Sequence, residues 1–151
     1  MAEERSFWMG RYEARFPTDR RYARNHMWAL ERDGCWRFGF SAYAVRLLQD
    51  VYFLDWMMEV GDVLAERQEI GSIESKKAES SLYAPVAGTV TAMNESLMED
   101  PSAINVSPYG SGWLFELESA GEGLLMVDAY LSWLDEVWKV TQRTIKGQLN
   151  E

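Results

Sequence analysis

Cysteine and histidine are almost missing from this chain. There is one of each, Cys35 and His26, in 151 residues. A single cysteine cannot form an internal disulfide, and without a CxxC pair there is no zinc framework. Cys35 reads as a small buried hydrophobe. A lone histidine without a partner reads as a hydrogen-bonded structural residue, and no Gly-x-Ser-x-Gly elbow accompanies it. Neither a GxGxxG nor a Walker A sequence is present. Carboxylates are plentiful but scattered and read as solubilising charge. No run reaches the roughly 18 apolar residues of a membrane helix. The N-terminus, MAEERSFWMGRYEARFPTDR, is charged throughout, with no apolar stretch of the signal-peptide kind. These absences predict a cytoplasmic protein with no membrane partner and no active site of its own.

What is present points to a folded acidic domain. Hydrophobic residues make up 47% of the chain, seven tryptophans among them, enough for a sizeable core in one domain. The net charge is −9. That balance disfavours nucleic acid, whose phosphates need Lys and Arg to displace their counterions. It permits docking onto basic protein surfaces. Residues 1–24 run the other way, with six arginines against four acids. They read as an ordinary solvated segment.

Three regions are expected: an N-terminal extension over 1–20, a β-rich domain over 21–120, and a C-terminal helix over 121–151 packed on the same domain. FWMGRYEARF mixes aromatics and arginines without a clean period, and Pro17 holds Phe16 extended. HMWALERDGCWRFGF predicts two strands around an Asp-Gly turn. Ser41 can cap a short helix, AYAVRLL, near 41–48. DVYFLDWMM is strand-like. Turns then recur about every ten residues, the cadence of an antiparallel sandwich or barrel. Pro85 marks an edge or bulge. NESLMEDPSAINVSPYGSG reads as irregular, and WLFELE as the last strand. Tyr130, Leu134, Val137, Trp138 and Ile145 share one face of an amphipathic helix.

One stretch stands out within this frame. In IGSIESKKAESSLYAPVAG, Lys76 and Lys77 sit side by side between two apolar runs, at what reads as the two-residue tip of a β-hairpin. Either lysine could be a solvated turn residue, or one could be a chemical attachment point. A flexible lysine on a rigid tip makes a good tether, and acylation would leave a neutral amide.

The surrounding residues carry a resemblance. Glu74-Ser75-x-Lys77-Ala78 at a β-turn resembles the lipoylation site of lipoyl domains and of the glycine cleavage H-protein family. YAPVAGTV is similar to the H-protein pattern Tyr-Ala-Pro-x-x-Gly-x-Val. Asn94-x-x-Leu97 continues it, as does Pro101-x-x-Ile104-Asn105-x-x-Pro108-Tyr109-Gly110-x-Gly112-Trp113-Leu114. Upstream, Tyr22-x-x-x-His26-x-Trp28, GFSAYA and EVGDVL match further blocks. Together they span about residues 22–131.

The resemblance implies a mainly β fold, an antiparallel sandwich or flattened barrel of the lipoyl-domain type. It implies lipoate on Lys77, with Glu74, Ser75 and Ala78 completing the recognition motif and Lys76 at the variable position. It implies a cleft for the loaded arm, with His26 and Trp28 as candidate lining. It further implies a non-catalytic carrier served by a lipoate ligase or lipoyltransferase. The partners would be glycine decarboxylase, aminomethyltransferase and dihydrolipoyl dehydrogenase. The sequence also departs from the pattern. Asn25-His26-Met27-Trp28 stands where the family commonly has acids beside the histidine, and Trp56-Met57-Met58 replaces a Leu-Pro step. These departures leave open a second cargo: sulfur, carried as by the H-like lipoate-binding proteins beside a heterodisulfide-reductase-like complex. An unmodified structural relative is the third reading.

Overall fold

The first twenty residues fold into a hairpin. In a computed structural model describing residues 3–149, with side chains as far as Gln142, Glu4–Met9 (β1) pairs antiparallel with Tyr12–Pro17 (β2). The turn is Gly10-Arg11, and Gly10 has a φ of 65°, a value glycine adopts without strain. Phe7, Met9, Ala14 and Phe16 face inward, whereas Ser6, Trp8 and Arg15 face out. The extension expected here is therefore a packed element. Its period-2 pattern is obscured by an outward-facing tryptophan.

Next come Arg21–Tyr22 (β3), Met27–Arg32 (β4) and Cys35–Phe40 (β5). The β4–β5 turn is the predicted Asp33-Gly34, both at positive φ, the type I′ geometry that Asp-Gly favours. Cys35, at the mouth of this hairpin, is half-buried rather than fully enclosed. Ala42–Leu48 (α1) follows, capped by Ser41, whose hydroxyl accepts from the Ala44 amide as expected.

Val51–Trp56 (β6), Val63–Leu64 (β7), Glu69–Ser75 (β8), Glu79–Tyr83 (β9) and Gly88–Met93 (β10) are all short strands. The segment expected to be irregular contains two one-turn helices, Ser96–Glu99 (α2) and Ala103–Val106 (α3). The last strand is Phe115–Glu118 (β11), two residues shorter than the apolar run that predicts it. Val127–Leu149 (α4) ends the described chain. The Ile145 side chain lies outside the described residues.

Three sheets result: β1-β2; β3-β4-β5-β11-β10-β7; and β6-β8-β9. They are antiparallel throughout and do not close into a barrel. The six-stranded and three-stranded sheets enclose the main core. Phe38, Phe115 and Leu117 meet Leu54, Ile70, Ile73 and Leu82 there. Trp56 packs edge-on against Phe115 at 5.6 Å.

The six-stranded sheet buries its other face as well. Successive strand residues point to opposite faces. Met27 and Ala29 therefore enter the main core, and Trp28 between them enters a second one. That second core is closed by the N-terminal hairpin, by α1, and by Tyr130 and Leu134 of α4, with Val137 and Trp138 partly buried beside them. It is clamped by the Tyr22 hydroxyl, which donates to the Pro17 carbonyl at 2.7 Å. Tyr109 adds a second clamp: its hydroxyl donates to the Arg15 carbonyl and accepts from the Ala42 amide.

Candidate functional site

The two lysines lie where β8 turns into β9. The strands stop at Ser75 and resume at Glu79, so the tip has three residues, Lys76, Lys77 and Ala78, one more than the sequence suggests. Ser75 makes the turn. Its amide donates to the Ala78 carbonyl at 2.8 Å. Its buried hydroxyl accepts from the Ala78 amide at 3.1 Å and the Lys77 amide at 3.4 Å, and donates back to the Ala78 carbonyl. A serine immediately before the lysines thus satisfies two of the tip's amides and the Ala78 carbonyl. Glu74 and Glu79 sit directly opposite one another at the base of the tip. Like charges in that register oppose the pairing, so the turn leans on Ser75 and the apolar pairs below it.

Those pairs hold the hairpin from both sides. β8 is the central strand of its sheet, with β6 and β9 as neighbours. Ile73 is buried opposite Leu54. A further brace comes from a distant segment. Asn105 donates to the Gln49 carbonyl at 2.5 Å and accepts from the Val51 amide at 2.9 Å. These bonds straddle Asp50, whose carbonyl accepts from the Lys76 amide at 2.8 Å. Sequence reading places Asn105 in a motif without giving it this task. An asparagine inside a one-turn helix can fill many roles, and only the fold brings it to residues 49–51.

Both lysine side chains are exposed. Among the described residues neither ammonium has an ion-pair partner. An accessible, unpaired primary amine on a fixed backbone is what an acylating enzyme requires, so the tip fits an amide-linked prosthetic group.

His26 and Trp28 are placed elsewhere. Trp28 is 1% exposed, and its indole N–H donates to the Pro108 carbonyl at 2.9 Å. Its ring lies so close to Gly39 that a Cβ there would sit 2.5 Å from it. Arg20 stacks 4.8 Å from its centroid. His26 has a left-handed φ of 71°. Its Nδ1 lies 2.8 Å from the Tyr130 hydroxyl oxygen, and its ring packs on Tyr43 and Trp133. Burial lowers its pKa to about 4, so it is neutral near pH 7. Both side chains are thus held in the aromatic layer beneath α4. A cavity of about 430 Å³ opens instead beside their neighbours Arg24 and Asn25.

The sequence departures divide in the same way. Met27, standing where the family commonly has an acid, is buried in the main core, as is Met58. Met57 is 64% exposed. Among the described residues no group of three or more His, Cys, Asp or Glu could hold a metal ion. No described helix is long and apolar enough to cross a membrane.

The six-stranded and three-stranded sheets around the main core, with a serine-clamped lysine hairpin on the smaller sheet, fit a carrier domain of the lipoyl class. Comparison with known proteins narrows the class. The family model for the glycine cleavage H-protein matches residues 20–134. A probable glycine cleavage system H protein of Natronomonas pharaonis is 44% identical over 117 residues, 76% of this chain and 92% of that one. The glycine cleavage system H protein of Listeria monocytogenes is 41% identical over 123 residues, 79% of this chain and 98% of that one. The crystal structure of the H protein from Mycobacterium marinum superposes with a TM-score of 0.71 at 33% identity, covering 80% of this chain and 99% of that one. The chain belongs to the glycine cleavage H-protein family, whose members are lipoate-carrying shuttles with the group attached to a lysine. These relatives do not favour the sulfur-carrying reading. The N-terminal hairpin lies outside the matched residues.

Proposed function

We propose that Lys77 carries the lipoate and that this chain shuttles an aminomethyl group among the enzymes of glycine cleavage. The observation that carries the assignment is register. Lys77 directly precedes Ala78, two residues after the Ser75 that clamps the turn, and its amine is exposed and unpaired. Lys76 is tied to Asp50 through its backbone and occupies the motif's variable place.

When attached, lipoate supplies a dithiolane that opens to a dithiol and can take up a group at one enzyme and release it at another. The chain's own residues do the positioning. Ser75 shapes the tip, Asn105 braces its flank through residues 49–51, and β6 and β9 hold β8 between them. A fixed tip with a mobile side chain raises the effective concentration of the carried group at each docked enzyme. The partners in this reading are a lipoate ligase or lipoyltransferase, glycine decarboxylase, aminomethyltransferase and dihydrolipoyl dehydrogenase. The chain acts in the cytoplasm as their tethered cosubstrate and is not an enzyme.

Peptide mass spectrometry after lipoylation tests the assignment. The lipoyl mass is expected on Lys77 alone. Lys77→Arg should remain unmodified, Lys76→Arg should be modified normally, and both should stay within about 0.5 kcal/mol of the parent in stability. Modification of Lys76, or of neither lysine, would overturn it. Glycine turnover should require the lipoylated chain together with all three glycine cleavage enzymes. Sustained turnover by the purified chain alone would refute the carrier role.

A further inference from the structure

We infer that the cavity at the far end of the lysine hairpin is a binding site for a small organic monoanion, held by Arg24 and Arg67. This goes beyond the carrier reading and does not depend on it. β9 runs from beside the tip to Tyr83 at the cavity wall. Six residues at about 3.4 Å each place Tyr83 roughly 20 Å from Lys77 along the strand.

The charges come first. Arg24 stands in the turn between β3 and β4, and Arg67 in the turn between β7 and β8. Both line this one cavity of about 430 Å³. Among the described residues no carboxylate pairs with either guanidinium. The Arg24 guanidinium lies beside the Trp133 ring, 5.9 Å from its centroid. In a chain of net charge −9, two unpaired cations on one concavity form a local positive field. Glu66 is the one acid on the wall. Two positive charges against one negative favour a singly charged anion over a doubly charged one.

The lining then selects the body of the ligand. Tyr83, Ala84 and Pro85 give the cavity an apolar side. Its volume lies in the range of small-molecule sites and far above what a bare oxyanion fills. Asn25 is partly committed: its amide nitrogen donates to the Tyr83 carbonyl and its oxygen accepts from the Met27 amide, leaving one N–H for a ligand. The two guanidinium forks are the cationic donors on the wall, and they match a carboxylate in geometry and charge.

Arg67 carries a second sign. Its φ is 67°, a left-handed conformation that glycine or asparagine adopts more readily. The turn is pinned there by its amide donating to the Ala84 carbonyl at 3.0 Å and by the Ala84 amide donating to the Gln68 carbonyl at 2.8 Å. Backbone strain of this kind clusters at ligand clamps as well as in ordinary turns such as Asp33-Gly34, so it adds to the charges without standing alone.

The experiment is an amide NMR titration of the full chain with sodium butyrate at constant ionic strength. Saturable shifts are expected at Tyr83, Ala84 and Gly123, with a dissociation constant of about 1 mM or below. Butyramide, the neutral isostere, should produce none. The double variant Arg24→Gln, Arg67→Gly should bind butyrate at least about tenfold more weakly, with its other resonances in place. A short peptide ending in a free carboxylate, compared with its amidated form, identifies the source. Competition with butyrate by the free acid alone points to a protein C-terminus. Butyrate binding without peptide binding points to a free metabolite. Either result supports the carboxylate site. Equal shifts with butyramide, unweakened binding by the double variant, or tighter binding of inorganic phosphate than of butyrate would overturn it. So would the absence of saturable shifts.

Discussion

Replacing Asn105 by alanine should loosen the lysine tip from a distance. Asn105 makes two hydrogen bonds, to the Gln49 carbonyl and from the Val51 amide, and these straddle the Asp50 carbonyl that holds Lys76. Each bond contributes about 1 kcal/mol net. Val51 is buried, so its amide would lose its protein partner, which raises the cost further. A total loss of about 2–3 kcal/mol is expected. At roughly 2–4 °C per kcal/mol for a chain of this size, the melting temperature should fall by about 4–12 °C. Urea denaturation measures the first quantity and calorimetry the second. Amide hydrogen exchange supplies the decisive reading. Lys76 should lose more protection than the global loss accounts for, whereas Leu117, in the other sheet, should track the global value. A loss below about 0.5 kcal/mol with Lys76 protection unchanged would refute the bracing role.

Three further perturbations probe other parts of the structure. Ser75→Ala removes the hydroxyl that accepts two tip amides, and should cost about 1 kcal/mol in urea denaturation while slowing lipoylation of Lys77. Normal stability and an unchanged lipoylation rate would count against the clamp. Gly39→Ala places a methyl against a pinned Trp28 ring and should cost about 1–3 kcal/mol, read by denaturation followed through tryptophan fluorescence. His26 has a folded pKa near 4 against an ordinary value of 6.5. The unfolded chain therefore binds the extra proton first as pH falls, and His26 should withdraw stability between about pH 6.5 and pH 4, by roughly 3 kcal/mol at most. His26→Asn, which tolerates the left-handed backbone, should be less stable at pH 7 yet flatter in stability across that window. Parallel pH profiles for the two proteins would exclude burial of a neutral imidazole.

Much of the architecture was legible where a few neighbouring residues suffice. Asp33-Gly34 turns the chain because its own φ values suit a two-residue hairpin. Ser41 caps α1 through a bond to Ala44, three residues away. The antiparallel character followed from short strands between regular turns. Legibility failed where the deciding partner is remote. β1 and β2 bury Phe7, Met9, Ala14 and Phe16 against residues that include Tyr130 and Leu134 of α4, and an exposed Trp8 hides the alternation. α2 and α3 have four residues each, too few to display a helical period.

The lysine hairpin was written in its own residues. Glu74 to Ala78 specify the serine clamp through bonds that span at most three positions, so the clamp itself needs no distant contact to place Lys77 at the tip. The motif around it placed the chain in its family before any coordinate did. Only the tertiary structure decided the surroundings. Whether Trp28 met water or a second core depended on α4 and the N-terminal hairpin covering the back of the six-stranded sheet. Whether Asn105 did anything depended on residues 49–51 arriving beside it. Arg24 and Arg67 share a cavity only because β3–β4 and the β7–β8 turn meet at the end of β9. Local hydrogen bonds form between residues the chain already holds together. These long-range pairings form only when burial of the two cores offsets the entropy of closing the loops between them.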